Sequence, residues 1–332
     1  MNIKVSTDGK KINVVEESKV CKFADWGLRE ENIEDFVCDN IEMVFGDETS
    51  YLLVGRQVCD KEGKRNDLLA IDDEGSLVLI EIKRDADDIA HRQEPLEFQA
   101  IRYCSSLAMI DTPDDLVVRS YAKYIDKYDT EYKGDLSSHE RGRKRLKEFL
   151  IQNNCVDEFN SKQRIILISS DYDKTTLSAC AWLIKNGVDI TLIKLTPLES
   201  SDGKKEIDIS VVLPSKKESD YFVNLMENDE HFDSKQQRRI KRTNLPKMNW
   251  LMEQGIIKKG DKVYVVDHET EVATVIYSKQ VNYNGQKISF NDFGCLITGW
   301  TTICVYEKLQ IEGKSKTLSK LREEKMKELG MI

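Results

Sequence analysis

Asp67, Glu81 and Lys83 are the residues of this chain whose types and spacing best fit metal-assisted chemistry with an activated water. They lie on two apolar runs joined by a turn at Asp72-Asp73-Glu74-Gly75. Asn66-Asp67-Leu68-Leu69-Ala70-Ile71 precedes the turn, and Leu77-Val78-Leu79-Ile80-Glu81-Ile82-Lys83 follows it. The pattern predicts a β-hairpin. Side chains alternate along a strand, so Leu77, Leu79, Glu81 and Lys83 share one face. Val78, Ile80 and Ile82 form the other, fully apolar face, which must pack against something. Asp67 on the partner strand can meet Glu81. Two adjacent carboxylates repel each other unless a cation lies between them. Oxygen ligands of this kind suit Mg²⁺, or Mn²⁺ in its place. A lysine two residues on can position a water beside such an ion. An acid and a base at one strand end are by themselves an ordinary solvated feature. The spaced Asp67, the hairpin length and the Glu-Ile-Lys ending together raise the signal.

Other elements must hold this hairpin. Residues 1–20 read as a short strand or hairpin, and Leu28 to Asn40 as a helix with Ile33, Phe36, Val37 and Ile41 on one face. A strand over residues 51–58 carries Arg56. Asp88 to Met109 reads as a long helix that Pro95 breaks or restarts. Residues 113–153 are charged and helical. Arg164 to Ser170 and Val188 to Leu195 read as buried strands around a helix from Thr175 to Asn186, a β-α-β unit. Ile207 to Leu213 reads as an edge strand. Residues 1–215 thus predict one α/β domain with a mixed sheet flanked by helices.

The polar stretch 216–244 predicts a charged helical linker. A small α+β domain is expected over 245–310. It has a helix ended by Gly255, a strand at 260–265, a hairpin over 273–283, a helix over 290–297 and a final strand at Ile303-Cys304-Val305-Tyr306. A charged helical tail over 311–332 is expected to dock on the body.

Composition narrows the function classes. The net charge of −9 argues against indiscriminate electrostatic binding to nucleic acid but leaves local basic patches. These are Arg141-Gly142-Arg143-Lys144-Arg145 and Lys235 to Arg242; a solvated helix face is the ordinary reading of such a run. No apolar run reaches about 18 residues, so no membrane partner is expected. Met1-Asn2-Ile3-Lys4 begins no apolar signal core. The 8 cysteines include no C-x-x-C pair and read as reduced thiols, which predicts a cytoplasmic protein without a zinc site.

Residues 25 to about 213 resemble the nuclease domain of NucS-like endonucleases, within the PD-(D/E)xK restriction-like fold. The matching blocks are Leu28-Arg29-Glu30-Glu31-Asn32-Ile33-Glu34-Asp35-Phe36, Leu53 to Val58, Asp67…Glu81-Ile82-Lys83, and Glu97-Phe98-Gln99-Ala100-Ile101-Arg102-Tyr103. Asn66 stands where a proline is common. The resemblance implies a restriction-endonuclease-like α/β fold and a Mg²⁺-dependent DNA endonuclease. Asp67, Glu81 and the carbonyl of Ile82 would hold the metal, and Lys83 would orient water. Glu30, or alternatively Glu31, would be the upstream acid. Gln99 and Tyr103 share a helix face by their i, i+4 spacing and would support the site and touch the DNA backbone. Residues 245–310 resemble the restriction enzyme and adenine methylase associated (RAMA) domain, a module linked to DNA recognition. The matches are Leu251 to Ile257, Lys259-Gly260-Asp261, Val281 to Gly285 and Thr298-Gly299-Trp300-Thr301-Thr302. Arg56, Arg238, Arg239, Lys241, Arg242 and Trp300 are the expected DNA contacts, with packing an equal reading for Trp300. The expected partner is duplex DNA, modified or unmodified, cut by a homodimer in restriction or anti-phage defence. A structure-selective repair nuclease and a non-catalytic DNA-binding adaptor are the alternatives.

Overall fold

The computed structural model describes residues 2–7, 12–59, 65–90, 94–130, 132–215 and 245–332. The expected linker and its basic residues Arg238, Arg239, Lys241 and Arg242 lie outside them. The chain opens with β1 (Asn2–Thr7) and β2 (Ile12–Val20), then α1 (Glu30–Asp39) and α2 (Ile41–Phe45). Strands β3 (Tyr51–Cys59), β4 (Arg65–Asp72) and β5 (Leu77–Ile82) follow. A helical crossover leads from β5 to β6 (Gln163–Ser169) through α3 (Ala86–Ala90), α4 (Leu96–Leu107), α5 (Pro113–Leu116), α6 (Ala122–Tyr128) and α7 (Ser138–Gln152). α8 (Lys174–Lys185) joins β6 to β7 (Ile190–Ser200), and β8 (Lys205–Leu213) returns beside β7.

These strands form one mixed sheet in the order β1-β2-β7-β6-β5-β4-β3, with β8 also paired to β7. β5, β6 and β7 run parallel, while β3, β4 and β5 form an antiparallel meander. The two faces of the β4–β5 hairpin go into separate cores. Leu69, Ile71, Leu77 and Leu79 pack with α4 and the following helices. Leu68, Ala70, Val78, Ile80 and Ile82 pack with Ile33 and Val37 of α1, and with α2. Val78, Ile80 and Ile82 are fully buried, at roughly 1.5–3 kcal/mol each. A slip of one residue would turn them over and put Glu81 in their place, so the register is fixed. Asp72 pins the turn: its Oδ1 accepts from the Glu74 and Ser76 amides, and its Oδ2 meets Arg164 at 2.7 Å.

Pro95 caps α4 and divides the long helix expected over 88–109 into α3 and α4. Its ring lacks the amide that a helix interior needs.

The second region holds α9 (Met248–Glu253), β9 (Lys262–Val265), β10 (Val272–Tyr277), β11 (Gln280–Tyr283), β12 (Gln286–Ile288), α10 (Phe290–Thr298), α11 (Val305–Lys308), β13 (Leu309–Ile311) and α12 (Leu318–Glu328). Its antiparallel sheet has the order β12-β11-β10-β9-β13. The strand expected at 303–306 is not formed. Val305 starts the short α11, and the strand begins at Leu309. Ile303 to Tyr306 are all buried, and an apolar run without alternation fits a packed helix as well as a strand.

This region shares its core with the first. Trp300 meets Phe149 of α7 edge-on at 4.8 Å between centroids. The Leu53 amide donates to Thr301 Oγ1 and the Cys304 amide to Ser50 Oγ. Arg322 of α12 grips both carboxylate oxygens of Glu48 at 3.1 Å.

Candidate metal centre

The β4–β5 ladder runs from Ile71↔Leu77 to Leu68↔Ile80 and stops there. The next pair in that register is Asp67 and Glu81. At this point the strands part, and the Ile82 amide donates to Asp67 Oδ2 at 2.7 Å. One ladder bond is exchanged for a bond to a carboxylate, which fixes the Asp67 side chain at the strand end. Glu81 and Lys83 point to the α4 side, as alternation requires.

Lys83 Nζ lies at the centre of the cluster. It stands 3.1 Å from Glu30 Oε1, 3.3 Å from Asp67 Oδ2 and 3.1 Å from Glu81 Oε1. It also donates to the carbonyl of Ile82. Its side chain is 1% exposed. Glu30, the first residue of α1, is therefore the upstream acid that reaches the site. From α4, Gln99 Nε2 donates to Glu81 Oε1 at 2.7 Å. Tyr103, one turn on, is buried in the core below Gln99, with the Arg102 guanidinium over its ring. Its ring supports α4 and is not open to a DNA backbone.

Burial pushes the Asp67 carboxyl above the usual range; the Lys83 ammonium and the Ile82 amide pull the other way without cancelling it. Three carboxyl groups here converge on the Lys83 ammonium, with Glu81 buried beside it and Glu30 partly open to solvent.

Among the described residues, no three His, Cys, Asp or Glu side chains are gathered closely enough to hold an ion as they stand. The distances explain this. The carboxylates surround an ammonium at about 3 Å, whereas Mg²⁺ takes oxygens at about 2.0–2.1 Å. To bind it, the oxygens must close in by about 1 Å and Lys83 must swing out. The donor set itself, two strand carboxylates, a main-chain carbonyl and a helix carboxylate, is the hard-oxygen chemistry Mg²⁺ or Mn²⁺ takes.

The expected DNA contacts are placed differently. Arg56 Nε pairs with Glu34 Oε1 and Arg56 Nη2 with Asp35 Oδ1, both at 2.6 Å. Its guanidinium also lies over the Tyr128 ring. Arg56 is thus paired within the protein, to two carboxylates of α1. Trp300 is 4% exposed and fills the seam against Phe149, so its role is packing. Arg141 and Arg145 both pair with Asp129, and Arg143 with Asp114.

Sequence reasoning passed over Glu34. It lies one helical turn after Glu30 and is 2% exposed. The i, i+4 spacing of Glu30 and Glu34 ahead of an apolar helix face was the available signal.

No helix among the described residues is long and apolar enough to cross a membrane. No known protein family matches the chain, and no curated protein matches it in sequence.

Proposed function

We propose that the chain is a metal-dependent DNA endonuclease that hydrolyses phosphodiester bonds at Asp67, Glu81 and Lys83. One observation carries the reading: carboxylates from two strands and a helix converge, with the Ile82 carbonyl, on one buried ammonium. Asp67, Glu81 and the Ile82 carbonyl would hold Mg²⁺, or Mn²⁺ as substitute, with Glu30 as a further direct or water-mediated ligand. Bound there, the ion would act as a Lewis acid and stabilise the leaving oxygen. Lys83, released from the centre, orients the attacking water and offsets charge on the phosphate. Gln99 keeps the Glu81 carboxylate aimed at the site. Asp67 must be ionised to act as a ligand, so its raised pKa makes metal binding release protons.

The order of Glu30, Asp67, Glu81-Ile82-Lys83 and Gln99…Tyr103 supports a place among NucS-like nucleases of the PD-(D/E)xK class. Duplex DNA is the proposed substrate and a homodimer the proposed working form. Restriction or anti-phage defence, with base-modified DNA as a target, is the proposed setting. The likeness of residues 245–310 to a DNA-reading module supports that setting, through surfaces other than Trp300.

Supercoiled plasmid and phage DNA, unmodified or carrying methylated or hydroxymethylated bases, test this with and without Mn²⁺. The wild type is expected to cut in the presence of the ion. Lys83→Ala is expected to lose about 10²–10⁴-fold in rate while still shifting DNA in a gel. Metal-independent DNA binding without cleavage on any substrate would favour the adaptor reading.

A further inference from the structure

The structure assigns Glu34 as a positioning residue: through Arg56 and Gln57 it fixes α1 against β3 and so places Glu30 over Asp67 and Glu81. The inference rests on the proposed metal site. Glu30 and Glu34 lie one turn apart on the same face of α1. Glu30 reaches Lys83, while Glu34 takes two donors from β3: Arg56 Nε on Oε1 at 2.6 Å, and Gln57 Nε2 on Oε2 at 3.1 Å. Consecutive strand residues normally point to opposite faces. Gln57 escapes this with a φ of 51°, a left-handed conformation that costs a non-glycine residue roughly 1 kcal/mol or more. The departure lets both side chains reach one carboxylate. It lies beside the site, because the register sets Arg56 opposite Leu68 and Val58 opposite Asn66, leaving Gln57 alongside Asp67. The Asn66 side chain accepts the Val58 amide at 3.1 Å and holds the irregular stretch in place. An unbroken chain of contacts thus runs from Asp67 through β4 and β3 to Glu34 and, one turn back along α1, to Glu30.

Glu34 is buried and Arg56 largely so, with 3% and 15% of their side chains exposed. Burying two charges gains little stability over apolar residues of the same size. What the pair does supply is a fixed, forked geometry between a helix and the strand next to the ligands.

Calorimetric Mn²⁺ titration of the full chain tests this, with the thermal midpoint and DNA KM read alongside. Glu34→Ala and Arg56→Ala are each expected to weaken Mn²⁺ binding by about 10–100-fold, with DNA KM unchanged. The double variant should lose less than the two single losses combined, because both remove the Glu34–Arg56 contact. Glu34→Gln, which can still accept from Arg56 and bond Gln57, should restore most of the affinity. If Glu34→Ala does not fold, Arg56→Lys, which keeps charge but loses the fork, carries the comparison and should also weaken binding. Wild-type Mn²⁺ affinity in these variants, with only the thermal midpoint lowered, would overturn the inference and leave the nuclease reading intact. A raised KM for DNA in Arg56→Ala with unchanged Mn²⁺ affinity would make Arg56 a DNA contact and also overturn it. A wild type that binds no Mn²⁺ overturns both.

Discussion

Two ionic clusters hold this molecule in different ways. At the end of the β4–β5 hairpin, Glu30, Asp67 and Glu81 share the single ammonium of Lys83. At the seam between the two sheets, Asp47 and Glu48 face Lys247 and Arg322. The second cluster balances two acids with two bases, and Arg322 forks onto Glu48 while stacking over Tyr306. Burial raises the Glu48 carboxyl, but Arg322 and Lys247 outweigh it and hold the pKa below the usual range. The first cluster sets three acids around the Lys83 ammonium, and burial pushes Asp67 up against the pull of that ammonium. A balanced cluster is complete and serves as a joint. An acid-rich one is what the proposed metal site requires.

The largest effect that separates them is expected for Lys83→Met. Without the ammonium, buried carboxylates face one another, and stability should fall by about 3–5 kcal/mol. Added Mn²⁺ should recover that loss by binding the folded state, giving a larger thermal shift than in the wild type, while cleavage stays absent. Arg322→Met should cost less, about 1.5–3 kcal/mol, because it removes a forked charged contact but leaves Glu48 paired with Lys247. Here Mn²⁺ should restore nothing. Equal rescue of both variants, or of neither, would erase the distinction between the clusters.

Gln99→Ala should act more mildly. It removes one of the contacts that aim Glu81 Oε1 without removing a ligand, so a loss of about 10–100-fold in Mn²⁺ affinity is expected, with the thermal midpoint nearly unchanged. Unaltered affinity would confine Gln99 to holding α4.

The smallest effect should appear at the seam through pH. Burial, with Asp47 and Asp292 adding repulsion, raises Glu42 to about 7. Its pKa is higher folded than unfolded, so its contribution to stability is full below the unfolded value and lost as pH rises through about 7. Glu42→Gln should therefore raise the thermal midpoint at pH 8 and leave it little changed near pH 5. A rise of equal size at both values would mean that the charge of Glu42 is not the cause.

The hairpin site was legible because alternation is rigid. Once the turn at Asp72 to Gly75 is recognised, the side on which Glu81 and Lys83 emerge follows. The choice between Glu30 and Glu31 was not legible, since it depends on how α1 rolls on the sheet. The structure turns Glu30 inward and uses Glu34 to set that roll. The fate of Arg56 was hidden for the same reason: its partners come from a helix separated from it by α2 and a loop. In the second region the strands and α10 follow from pattern and turn residues, with Ser289 capping α10 through the Asp292 amide. Its fusion to the first region did not follow, because Trp300 meets Phe149 only across the fold. Deleting residues 245–332 therefore exposes a shared core rather than releasing a separate module, and point variants are the better probe.

Anomalous scattering from a manganese-soaked crystal tests the central claim most directly. The account predicts a peak within about 2.0–2.3 Å of Asp67, Glu81 and the Ile82 carbonyl, with the Lys83 ammonium displaced from its present position. A crystal with Lys83 still bonded to all three carboxylates and no peak between them would contradict it.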